Sequence, residues 1–122
     1  MSDRIKVVTH RGKQIFLQDF TNVSPGPEFD ALIAEARKYL DSQPPKSVLS
    51  LFDGTGGHYN VEVLATLKAF AKANEAYMKA SAVMGGEGIL GIALMAVARF
   101  TGRSFKPFKD RLSAMDWLAE QQ

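Results

Sequence analysis

His58 and Glu62 stand four residues apart, Asp53 and Thr55 lie just upstream, and glycines at 54, 56 and 57 fill the space around them. An acid, a base and a hydroxyl within ten residues raise three chemistries: metal ligation, hydrolysis and phosphoryl acceptance. His58 and Glu62 would share one helical turn, as two metal ligands would. The other histidine, His10, belongs to a distant segment and the chain has no cysteine, so neither a metal centre nor thiolate chemistry is expected. A Ser-His-Asp hydrolase is not expected either: the chain has no Gly-x-Ser-x-Gly elbow, and no serine is placed where His58 would activate it. His58 therefore reads as a solvated capping histidine. Thr55 is a candidate phosphoacceptor, because phosphate adds nearly two negative charges beside a helix N-terminus that favours them. Its plain alternative is a loop threonine bonded to a local backbone amide. A second glycine loop, Gly85-Gly86-Glu87-Gly88, lacks the Lys-Ser/Thr of a phosphate loop, and Glu87 would repel an anion, so it reads as a tight turn.

The stretch that must position the first loop is Ser47 to Asp53. Val48, Leu49, Leu51 and Phe52 make a nearly continuous apolar run between Pro44-Pro45 and the glycines, which is how a strand buried on both faces reads. Asp53 ends it with a charge, and a helix is expected from Asn60 to about residue 74, with Val63, Leu64, Leu67, Phe70 and Ala71 facing inward. Upstream, alternating segments at 4–9 and 14–20, joined by a turn at His10-Arg11-Gly12-Lys13, predict a hairpin. Ser24-Pro25-Gly26-Pro27-Glu28 carries helix-start residues with Ser24 as hydroxyl cap, and Phe29, Leu32, Ile33, Ala36 and Leu40 predict a helix over 28–41.

Downstream, 77–84 reads as a strand, 87–101 as a helix, 104–108 as an edge strand weakened by Pro107, and a last helix follows its cap Asp110. Leu112, Met115 and Leu118 or Ala119 are expected to face the core. The order β-β-α-β-α-β-α-β-α predicts an α/β fold. It is one domain over residues 1–122, with four helices and a mixed sheet of about five strands, mostly parallel after the hairpin.

Bulk properties narrow the partners. The 122 residues suit a single domain that buries roughly two-thirds of its unfolded surface. Net charge is +2, too near balance to predict nucleic-acid binding. Arg99, Arg103, Lys106, Lys109 and Arg111 cluster late, but Asp110 and Asp116 dilute them, and they read as a solvated basic rim. No signal peptide is read at the N-terminus, and the longest apolar run falls short of the roughly 20 residues of a spanning helix, so a cytoplasmic address without integral membrane association is expected. That run, Ile89 to Ala98, is apolar all round. With Gly85, Gly86, Leu90 and Leu94 it is a candidate surface for a homodimer, or for a small ligand or lipid.

Several segments together resemble the SpoIIAA-like group of STAS domains, also labelled STAS/SEC14-like. They are Gly12-Lys13-Gln14-Ile15 with Asp19-Phe20-Thr21-Asn22, the run Val48 to Gly56, Phe70-Ala71-Lys72-Ala73-Asn74, Lys79 to Gly85, and Asp116-Trp117-Leu118. The resemblance spans almost the whole chain and implies regulation through protein contact. In STAS antagonists of anti-sigma factors, a serine or threonine at the start of the helix after the third strand is phosphorylated within an Asp-Ser-Ser/Thr-Gly pattern. This chain has Gly56-Gly57-His58-Tyr59-Asn60 there, with Thr55 the nearest hydroxyl, and no catalytic residue is carried over. The expectation is a non-enzymatic regulatory or protein-interaction domain without cofactor, whose partner surface is the loop at 54–59 with the exposed face of the helix that begins at Asn60, and whose candidate residues there are Asp53, Thr55, Gly56, Gly57, His58 and Asn60. The alternative is a carrier of a small ligand or lipid on the helix at 89–98.

Overall fold

A computed structural model describes residues 2–85 and 105–121. The hairpin comes first: β1 (Ile5–His10) pairs antiparallel with β2 (Lys13–Asp19), and His10 faces Lys13 across a two-residue turn. Both turn residues have positive φ, Arg11 at 52° and Gly12 at 80°, the twist that matches the right-handed strands on either side. Three parallel pairings follow. β2 pairs with β3 (Val48–Asp53), β3 with β4 (Met78–Met84), and β4 with the three-residue edge strand β5 (Lys106–Phe108). The sheet order β1-β2-β3-β4-β5 puts β3 in the middle, and the expected mixed five-stranded sheet of an α/β fold is present.

Three α-helices are described. α1 (Pro27–Leu40) buries Phe29, Leu32, Ile33, Ala36 and Leu40, the stripe expected from its spacing. Its cap differs from expectation: Gly26, not Ser24, is the N-cap, and no side chain bonds there. Pro27 at the first helical position explains this, since it has no N–H to satisfy and its fixed φ already suits the helix. α2 (Val61–Asn74) starts at Asn60, whose Oδ1 accepts from Val63 N at 2.8 Å, and buries Val63, Leu67, Phe70 and Asn74. Leu64 and Ala71 are only half-buried. A 3-10 turn (Glu75–Tyr77) then leads into β4. α3 (Arg111–Ala119) is capped by Asp110, which accepts from Ser113 N at 2.8 Å. The helix expected at 87–101, with Gly86, Leu90 and Leu94, lies outside the described residues.

Period-two alternation along the central strand sorts the core into two layers. Val48 and Phe52 join Phe16, Phe20 and the stripes of α1 and α2, whereas Leu49 and Leu51 join Ile15, Leu17, Ala82, Ala114 and Leu118 beneath α3. Stacked rings at Phe16–Tyr39 (centroids 4.3 Å apart) and Phe20–Phe52 (4.8 Å) fasten the first layer.

The inward face of α3 corrects the sequence reading. Ala114 and Leu118 are buried, Met115 is half-buried, and Leu112 is 60% exposed. The inward stripe runs through 111, 114 and 118, three and four residues apart, so Arg111 holds the position that an apolar residue would otherwise take and Leu112 is turned outward. Leu118→Ala should lower unfolding free energy by about 2–5 kcal/mol and Leu112→Ala by less than about 0.5 kcal/mol. Urea denaturation of the two variants measures both, and equal losses would contradict this packing.

Candidate functional site

Parallel pairing brings the carboxyl ends of β2 and β3 side by side, and each ends in aspartate: Asp19 and Asp53 are direct register partners. Each is followed two residues on by threonine, and the same turn forms twice. Asp53 Oδ1 accepts from Thr55 N at 3.0 Å. Asp19 Oδ1 accepts from Thr21 N at 3.0 Å and from Thr21 Oγ1 at 2.6 Å. These are local side-chain-to-backbone bonds of the kind Asp supplies at turns.

Two adjacent carboxylates repel unless a cation lies between them, and Arg111 is that cation. Its Nε donates to Asp53 Oδ2 at 2.9 Å, and its Nη2 lies 3.3 Å from Asp19 Oδ2. Arg4 braces the same corner from β1's end, its Nη1 donating to the carbonyls of Asp19 (3.1 Å) and Thr21 (2.9 Å). Burial alone would push Asp19 up, but the Thr21 and Arg111 bonds outweigh it and hold the carboxyl below its ordinary value. Arg111 was read from sequence as part of a solvated rim. The structure overturns that: it is a structural bridge between two strands.

The loop after Asp53 is held mainly by backbone. Gly54 N donates to Met84 O at 3.0 Å, Asn22 N to Thr55 O at 2.9 Å, and His58 N to Val23 O at 3.0 Å. Tyr59 turns back, its hydroxyl donating to Gly54 O at 2.6 Å, and its pKa is pushed up to about 12, first by burial and then by the charge of Asp53. Gly85 closes the packing. Its φ is +76°, and a Cβ there would meet Thr55 N at 2.6 Å and Gly54 C at 2.7 Å, so the backbone of one loop lies directly on the other.

Within this frame the expected site residues separate. Thr55, Gly56, His58 and Asn60 are exposed and Gly57 is half-buried. Asp53 is only 3% exposed, so it anchors the loop from beneath and is no contact residue. His58 is solvated as expected but caps nothing, because Asn60 supplies the helix cap. His10 lies at the opposite end of the sheet, its Nε2 2.6 Å from Asp116 Oδ1. Among the described residues no group of His, Cys, Asp and Glu could hold a metal ion. No helix among them is long and apolar enough to cross a membrane.

Arg111, Asp19 and Arg4 are the site residues that sequence reading missed. A signal existed in the repeated Asp-x-Thr, at 19–21 and again at 53–55, at the ends of two expected strands. Comparison with known proteins finds no matching family model, no matching curated protein and no matching solved structure.

Two outcomes follow. Asp19 is the sign-setting group: with its folded pKa depressed, its stabilising contribution is complete above the ordinary carboxylate value of 3.8 and is lost as pH falls through the folded value. Arg111→Met should therefore cost about 2–3 kcal/mol at pH 7, and the gap to wild type should narrow on acidification, as read by urea denaturation at pH 7 and pH 3. A gap that stays constant would show that the carboxylates do not drive the effect. Gly85→Ala should destabilise by more than about 1 kcal/mol. Its amide spectrum should change at Gly54 and Thr55 before anywhere else.

Proposed function

We propose that this chain is a non-enzymatic regulatory or protein-interaction domain of STAS-like kind, whose partner surface is the loop at 55–60 together with the head of α2. The observation that carries this reading is Val61, which is 83% exposed at the first helical position, directly after Thr55, Gly56, His58 and Asn60. It sets one apolar side chain among exposed polar ones, the mixture of apolar and polar groups that protein interfaces use. Leu112 extends it. Its neighbour Arg111 is bonded to Asp53, so the head of α3 and its exposed leucine belong to the same rim as the loop.

Pre-organisation supports the same reading. The loop's backbone is bonded to residues 22, 23 and 84, so a partner would meet a surface already ordered and would spend little free energy fixing it. The carboxylates beneath are engaged: both Asp53 oxygens and both Asp19 oxygens face donors on Thr21, Thr55 or Arg111. Groups so engaged serve to hold the loop and are poorly placed as acid, base or nucleophile. The exposed position of Thr55 is compatible with a phosphoacceptor role, which the reading does not require.

Immobilised wild type, Val61→Asp, the double variant Thr55→Glu/His58→Ala, and Lys79→Ala as a control on an exposed residue at the opposite end of the sheet would be compared for capture of soluble proteins. All four should give the same circular dichroism. Wild type and Lys79→Ala should retain a common partner, and both rim variants should lose at least tenfold of it. Equal recovery by all four would remove the rim as the interface.

A further inference from the structure

α2 does not close on the sheet along its whole length. Between Phe70 and Asn74 of the helix and Ser50, Ser81 and Val83 of the central strands lies a cavity of about 50 Å³. Most of its wall is hydrocarbon, from side chains such as Phe52, Leu67 and Phe70. Of the polar groups there, Gln18 and Ser50 satisfy one another, Gln18 Nε2 donating to Ser50 Oγ at 2.6 Å. Asn74 differs. It is 1% exposed, it lines the cavity, and its Nδ2 has no hydrogen-bond partner among the described residues. Buried amide groups are nearly always bonded, and an exception asks for an explanation.

The chemistry of the walls specifies what would supply the missing partner. An unpartnered amide NH₂, which can only donate, selects an acceptor oxygen. Among the described residues that line the cavity none is cationic, so these walls offer a carboxylate or phosphate no counter-charge in exchange for its hydration. The remaining wall selects a hydrocarbon body. In size the cavity is about one-third of the roughly 150 Å³ needed for benzene, which leaves room for a head of a few heavy atoms and no aromatic ring. We propose that this cavity binds the carbonyl end of a small neutral molecule, a ketone, ester or amide, whose oxygen accepts from Asn74 Nδ2. The site lies at the carboxyl end of α2, away from the loop that precedes the helix, and stands independently of the interaction surface proposed above.

The test is a titration of the ¹⁵N-labelled chain followed through the Asn74 side-chain amide and the backbone amides of Phe70 and Val83, with 2-butanone, sodium butyrate and xenon as probes. In wild type, 2-butanone should shift all three signals saturably in the millimolar range expected for so few heavy atoms. Butyrate should not. Asn74→Leu should bind 2-butanone about tenfold more weakly, the loss expected for one hydrogen bond, while xenon still reports the apolar space. Three results would overturn the proposal: no saturable shift with 2-butanone, equal affinity for butyrate, or unchanged affinity in Asn74→Leu. A fourth is a resident water whose cross-peak to the Asn74 amide persists at saturating ketone. If Asn74→Leu fails to fold, the movement of the wild-type Asn74 amide signal decides alone.

Discussion

Two aspartates side by side at the ends of neighbouring parallel strands are an electrostatic liability, and the bridge from Arg111 is what makes the arrangement tenable. Parallel pairing leaves little choice. If both strands end in carboxylates at matched register, the charges must be neutralised, protonated or moved apart. Arg111 neutralises them with two different nitrogens of one planar group, which a lysine's single ammonium could not reproduce at the same two distances. The cost is one inward position of α3 given to a charged residue, and Leu112 consequently points to water.

That single bridge also connects distant parts of the chain. Asp19 belongs to the first hairpin, Asp53 to the central strand and Arg111 to the last helix, so the contact ties residues 58 and 92 positions apart to one point on the rim. The stabilisation of such a contact depends on leaving no partner unpaired, because a buried carboxylate that loses its cation costs far more than the pair gains over an apolar substitute. Thr21, Thr55 and Arg4 complete the set of bonds and make the corner stiff.

Much of the fold was legible because it rests on periodicity. The α1 stripe, the hairpin turn at Arg11-Gly12 and the middle position of 48–53 all follow from where apolar residues and glycines recur, and these patterns are local. Leu112 was misread for a related reason. Hydrophobicity alone marks it as inward, and only knowledge that Arg111 has a distant partner rotates the helix by one position. The Ser24 cap failed on a smaller point, since proline at the first turn removes the need for a side-chain acceptor. Site residues were harder to read. Thr55 and His58 were singled out because they sit beside glycines, whereas Asp19 and Arg4 come from segments with no such mark, and only strand register and the Arg4 bonds bring them to the loop. Asn74 looks like an ordinary helix-end residue, and its burial depends on packing across the sheet.

Fold and exposed surface are separable here. The bonds that hold the loop come from the backbone of residues 54, 55 and 58, from Tyr59 and from the buried corner. At Val61, which opens α2, burial contributes almost nothing to the core, because the side chain is left in water. The hydrogen bonds of Thr55 and His58 described above are made by the main chain. Substitution at these exposed side chains should therefore leave the loop's path intact, while replacement of Asp53, Arg111 or Gly85 would move the path itself. A scaffold whose exposed rim side chains carry so little of its own stability can vary their chemistry without refolding, so a strict frame and a chemically undistinguished rim coexist in one small sheet.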